Sequence, residues 1–155
     1  MMILIAHRGL VEGPNKDIEN HPDQILSALH LGYDCEIDVW YDNDDWYLGH
    51  DAPQYKINER FLLNHKNSFW IHCKNEEAFA KLNEYFPLLN YFWHDTDTYT
   101  FTCKGIPWIY PGKRLLSNGI CVLPELHYNL DEEIMSFDCL GFCSDYVSTL
   151  QKHLS

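Results

Sequence analysis

Seven short runs, apolar apart from a few residues such as Glu36, Asp38 and His72, set what this chain can fold into: residues 2–6, 35–41, 69–73, 89–93, 107–110, 120–123 and 140–144. Each is strand-sized and bounded by turn formers or polar residues. Continuous apolar character is what a strand needs when it is buried on both faces, as in a parallel sheet. Between the runs lie helical patterns. Residues 22–31 place Ile25, Leu26, Ala28, Leu29 and Leu31 on one side, with Gly32 positioned to end the helix. Residues 76–86 align Ala78, Phe79, Leu82 and Phe86, and Pro87 stops them. Shorter helices are expected over 58–64 and 148–154. A small hairpin is expected around the Asp42-Asn43-Asp44-Asp45 turn, with residues 46–49 as its return arm.

Strands alternating with helices predict an α/β fold with a parallel sheet. The rhythm is clear early and fails later: between Tyr110 and Ile120 there is a Pro-Gly-Lys-Arg turn and a short leucine stretch. An eight-fold barrel usually takes about 250 residues, and this chain has 155. The expectation is therefore a small barrel, one domain over 1–155, with several helices shortened or missing.

The formal net charge is −12. Such a surface repels nucleic acid and anionic bilayers, so an anionic substrate needs a local cationic site or a metal. Cys35, Cys73, Cys103, Cys121, Cys139 and Cys143 form no CxxC pair. They read as small core residues in a reducing cytosol, not as a zinc site. The first residues, MMILIAHRG, lack a basic region and a cleavage site, so they read as a buried strand and no signal peptide. No apolar run reaches about 18 residues, so no membrane insertion is expected, and the protein reads as soluble and cytoplasmic.

Against this background the charged residues of the first half stand out. Glu36 and Asp38 alternate with Cys35, Ile37 and Val39, so both acids share one face of a strand whose other face is core. Two carboxylates at that spacing can flank one divalent cation, whereas burying both without a cation is costly. His72 and Lys74 repeat the spacing on the next strand. His72 can complete the metal shell or orient a neighbour, and Lys74 can meet a phosphate oxygen. His7 follows the first strand directly, at the end where catalytic groups sit in parallel α/β folds. His50 lies beyond the hairpin, before Asp51. Two histidines supply one base and one acid. Arg8 offers a bidentate fork for phosphate. Glu19 can order the metal, hold Arg8, or simply favour a helix start.

The ordered set Ile5-Ala6-His7-Arg8-Gly9, Glu19-Asn20, Glu36-Ile37-Asp38-Val39 and His50-Asp51 resembles the glycerophosphodiester phosphodiesterase family, within the phosphatidylinositol-specific phospholipase C-like barrels. Lys74 falls where that family has a third-strand lysine. Leu140-Gly141-Phe142-Cys143-Ser144-Asp145-Tyr146 resembles its closing strand. The resemblance implies a compact (β/α)8 TIM-type barrel and metal-dependent hydrolysis of a small-molecule phosphodiester. His7 and His50 would be the acid and base, Arg8 and Lys74 the phosphate ligands, and Glu36 and Asp38 the metal ligands with Glu19 close by. The chain departs from the family by holding His72 where an acid is usual and Ile18 where a proline is usual. Mg²⁺ or Ca²⁺ is the first expectation for the ion, with imidazole admitting Mn²⁺ or Zn²⁺. The alternative is a non-catalytic barrel that binds a phosphorylated small molecule.

The second half offers weaker candidates: His94 and Asp95 after the fourth strand, Trp108, Tyr110 and the Pro111-Gly112-Lys113 turn after the fifth, and Glu125 after the sixth. Trp40 and Trp46 either shield a site or pack. His21, His30, His65, His127 and His153 have surface or helix settings and are assigned no role.

Overall fold

The computed structural model describes residues 2–155. Among them, ten strands and four short helices follow one another as β1 (Ile3–His7), α1 (Pro22–His30), β2 (Asp34–Asp42), β3 (Asp45–Leu48), β4 (Tyr55–Ile57), α2 (Glu59–Asn64), β5 (Phe69–Cys73), α3 (Glu76–Tyr85), β6 (Tyr91–Phe92), β7 (Tyr99–Phe101), β8 (Pro107–Ile109), β9 (Ile120–Val122), β10 (Gly141–Ser144) and α4 (Val147–Leu154). None of the helices is long and apolar enough to cross a membrane.

The expected (β/α)8 barrel does not form. The sheet is mixed and makes a half-barrel. Its parallel part runs β6-β5-β2-β1-β10-β9-β8, and these seven strands coincide with the seven apolar runs. Antiparallel additions complete it: β3 pairs with the far end of β2, β4 with β3, and β7 with β8. The physical reason is connection length. The segments after β6, β8 and β9 carry a hairpin, a turn and two 3₁₀ turns in place of crossover helices. A parallel barrel closes by repeating a strand-helix unit, and here the unit stops repeating halfway.

Among the described residues no strand pairing joins β6 to β8. Both are short, at 2 and 3 residues. Near that seam the Cys103 N–H donates to the Tyr91 carbonyl at 2.8 Å. Inside the curve, Phe92 packs on Trp108 (ring centroids 4.8 Å apart) and Trp70 stacks on Trp108 at 5.8 Å.

Strand periodicity divides the core. Cys35, Ile37, Val39, Ile71 and Cys73 point outward and pack with Ile25 and Ala28 of α1 and Ala78 and Leu82 of α3. Ile5, Trp70, Trp108, Ile120, Val122 and Cys143 point inward. Cys121 and Phe142 point outward again, toward Leu150 of α4 and Ile134. Local signals set the helix starts. The Asn58 and Asn75 side chains accept from the N–H groups of Phe61 and Ala78, as N-caps do. Asn75 also bonds both backbone groups of Tyr41. It thereby ties the end of β5, and Lys74 with it, to β2.

Candidate functional site

Register assembles the site. On the inner face, His7 of β1 lies beside Glu36 of β2, and Asp38 of β2 lies beside His72 of β5. Two sequence pairs, each with period-two spacing, are thus brought into one cluster by parallel pairing alone. Donor atoms of Glu36, Asp38 and His72 lie within 4.8 Å of one another, close enough to share one cation. They face a cavity of about 370 Å³ at the C-terminal end of the strands, which His7, Arg8, His50, Lys74, His94 and Asp95 also line. Glu19 is not in the three-donor group. Its Oε2 accepts from Arg8 Nη1 at 3.0 Å.

The two acids differ in how they are satisfied. Asp38 is 1% exposed and surrounded by donors. Asn20 Nδ2 donates to its Oδ2 at 2.9 Å, and Arg8 Nε lies 3.2 Å from the same oxygen, out of line for a hydrogen bond. His72 Nδ1 stands 3.1 Å and Lys74 Nζ 3.7 Å from Oδ1. Burial works against the charged form, but the His72 hydrogen bond and the charges of His72, Arg8 and Lys74 outweigh it and hold the carboxyl well below the usual range. Glu36 has poorer partners. Its Oε2 accepts from the Arg8 N–H at 3.2 Å, while Oε1 stands 3.9 Å from His72 Nδ1, beyond hydrogen-bond reach. Burial and the adjacent Asp38 charge raise its pKa. A buried carboxylate with a free oxygen beside a second carboxylate and an imidazole is the observation that fits a bound cation.

Strained turns place the cationic groups. Arg8 and Asn20 both adopt left-handed backbone, with φ of 53° and 59°. The Asn20 N–H donates to the Arg8 carbonyl at 3.0 Å, and the Asn20 side chain returns to the Asp38 N–H at 3.0 Å. Asparagine tolerates this conformation better than most residues. His50 follows Gly49, whose φ is 149° and where an added Cβ would stand 2.1 Å from the Ala52 carbonyl oxygen. Trp40 Nε1 donates to the Gly49 carbonyl at 2.6 Å, so this tryptophan pins the His50 loop. Trp46 instead packs in the core against Tyr41 and Phe86. The half-exposed His50 ring bonds Asp51 through Nδ1 at 2.8 Å.

Three residues act in ways their sequence setting did not suggest. Asn20 holds Asp38, as above. Asp145, directly after β10, bonds His7 Nδ1 at 2.7 Å. With Nδ1 committed, His7 presents Nε2, which lies 3.9 Å from Glu36 Oε2. Burial lowers the His7 pKa, but the Asp145 hydrogen bond and the Glu36 charge prevail and raise it. Glu125, one of the weaker candidates, turns to β10. It accepts from Ser144 Oγ and from the Asp145 N–H, both at 2.9 Å, and so fixes the backbone that carries Asp145.

The far side of the cavity is different in kind. Trp108, Tyr110, Pro111, Val122 and Leu123 line it. The His94 ring stacks on His72 at 4.4 Å, and Tyr110 Oη bonds His94 Nδ1 and the Asp95 carbonyl. Burial and the facing His72 push the His94 pKa down to about 4. Lys113 is not among the residues that line the cavity. Compared with family models, with curated proteins and with solved structures, the chain finds no match.

Proposed function

We propose that the cavity is the active site of a phosphoric diester hydrolase that uses one divalent cation held by Glu36, Asp38 and His72. The observation that carries this reading is the convergence of three cation donors, two phosphate-binding cations and two histidines on one cavity. The ordered motifs resembling glycerophosphodiester phosphodiesterases support it, although the fold that resemblance implied is corrected above. Mg²⁺ or Ca²⁺ suits the two carboxylates, and Mn²⁺ or Zn²⁺ the imidazole. When bound, the cation supplies Lewis-acid polarisation of a phosphoryl oxygen.

The chain's own residues do the rest. Arg8 and Lys74 bind the phosphate anion and orient it. Of His7 and His50, one takes the proton of the attacking hydroxyl, from water or from the substrate itself, and the other gives a proton to the departing alkoxide. One phosphorus–oxygen bond forms and one breaks. Asp145 holds the His7 tautomer, as a carboxylate does for an acid–base histidine. The reading implies the reducing cytoplasm as its setting, since Cys35, Cys73, Cys121 and Cys143 are buried free thiols.

The test is hydrolysis of bis(4-nitrophenyl) phosphate with a panel of divalent cations. Chelator-sensitive turnover is expected. Whichever of His7→Ala and His50→Ala removes the base should cut it by at least about 10²-fold in a protein that stays folded, and the one that removes the acid should cut hydrolysis of an alkyl diester by as much, since 4-nitrophenolate leaves without a proton. Turnover indifferent to chelator would remove the cation. One observation favours a second reading, a phosphate-ester binding module: the Arg8 guanidinium and the Lys74 ammonium already stand against Asp38 without a metal. Saturable binding of a phosphate ester with no hydrolysis under any cation would establish that alternative.

A further inference from the structure

The cavity is divided between two chemistries, and the division follows the sheet. The residues with charge or ionisable nitrogen on β1, β2 and β5 and their adjoining loops occupy one arc, which His94 and Asp95 after β6 carry round to Tyr110. The ends of β8 and β9 form the opposite arc from Trp108, Tyr110, Pro111, Val122 and Leu123. Two polar groups near this second arc are already engaged. The Tyr110 hydroxyl is taken by His94 and the Asp95 carbonyl. The Glu125 carboxylate is turned to Ser144 and Asp145.

Leu123 adds a second, independent observation. Its backbone lies at φ 46° and ψ 56°, the left-handed region that leucine strongly avoids and glycine accepts. The conformation is fixed by its N–H, which donates to the Cys143 carbonyl at 2.7 Å, and by the 3₁₀ turn Pro124–Leu126 that starts next to it. A residue with no side chain would satisfy this turn at lower cost. What leucine contributes is an apolar side chain on the cavity wall, packed against the inner core. Backbone strain retained at a cavity is a pointer to function.

We propose that the diester bound here carries an apolar alcohol arm, alkyl or aryl, seated against Trp108, Tyr110, Pro111, Val122 and Leu123, with its phosphate on the charged arc. This rests on the phosphodiesterase reading and specifies its substrate. A polyol arm in the same place gives up water at each hydroxyl and gains a largely apolar wall. An alkyl or aryl arm loses nothing by leaving water.

The test sets n-hexyl methyl phosphate against glyceryl methyl phosphate in one solution with the activating cation, followed by phosphorus NMR. Glycerol is the better leaving alcohol, so unassisted chemistry favours the glyceryl ester. The expected result is the reverse, with kcat/KM for the hexyl ester higher by roughly tenfold or more. Leu123→Gly and Leu123→Asn, both suited to a left-handed backbone, should bring the ratio back toward one while circular dichroism shows a folded protein. Equal or faster consumption of the glyceryl ester, with chelator-sensitive hydrolysis intact, overturns the apolar arm and leaves the phosphodiesterase reading standing. An unchanged ratio in both Leu123 variants overturns the seat assigned to the arm. Hydrolysis of neither ester overturns both readings together.

Discussion

The two arcs of the cavity are built by different physics. On the charged arc nearly every side chain is held by another: Asn20 and Arg8 on Asp38, Glu19 on Arg8, Asp145 on His7. On the apolar arc the residues are placed by packing and by one strained backbone. Removing a member of a charged network leaves largely buried partners unpaired, where a charge is expensive. Removing part of an apolar wall leaves a gap whose cost depends on how far the neighbours relax. The charged arc should therefore be brittle and the apolar arc forgiving.

The harshest test is Asp38→Ala. It leaves Arg8, His72 and Lys74 without their shared anion. Breaking a buried pair from one side typically costs about 3–5 kcal/mol. Glu36, relieved of Asp38's charge, ionises more readily and takes over part of the balance, so the loss should fall toward the lower end of that range. Urea unfolding at neutral pH measures it, and divalent cations should no longer protect the variant. A loss under about 1 kcal/mol would mean that the arc is not a network.

Asp145→Asn is milder and its signature is pH dependence. His7 has a raised pKa, so its contribution to stability is fully present below its ordinary value of 6.5 and fades as pH rises through the higher folded value. The asparagine keeps the shape and removes the charge that favours the imidazolium. The stability gap between wild type and variant should be widest below His7's ordinary value of 6.5. It should narrow above the folded value. In turnover, the pH limb that reports His7 should move to lower pH. A gap constant from acid to alkaline pH would detach Asp145 from the histidine.

The same contrast explains what was legible in the sequence. Strand positions were readable because apolar runs report burial locally, and the alternation of Glu36 and Asp38 with Cys35, Ile37 and Val39 marked a charged face inside a buried strand. The neighbours of those acids were not readable. Nothing in residues 1–40 says that Asp145, 138 positions away from His7, closes on it, because that contact exists only once β1 pairs with β10. Asn20 stood in the Glu19-Asn20 motif with no role attached to it. The barrel expectation failed for a related reason. Whether strands are followed by helices shows in connection length, which warned against full crossovers after Tyr110, but the edge strands β4 and β7 are short and lack a continuous apolar run. Their pairing is decided by the hairpins they belong to.

The gentlest test lies on the apolar arc. Leu123→Gly exchanges two terms of similar size. Relieving a left-handed leucine returns roughly 1–2 kcal/mol, and removing a partly buried leucine gives up a comparable share of its burial energy, which for a fully buried side chain is about 1.5–3 kcal/mol. The added freedom of glycine in the unfolded chain takes back some of the gain. The net change in thermal or urea stability should therefore be within about 1 kcal/mol of zero, whereas Asp38→Ala costs several times that. A loss of about 3 kcal/mol or more, on the order of a full core truncation, would show that Leu123 is a structural keystone. The apolar arc would then be as brittle as the charged one, and the strain at Leu123 would be explained by packing alone.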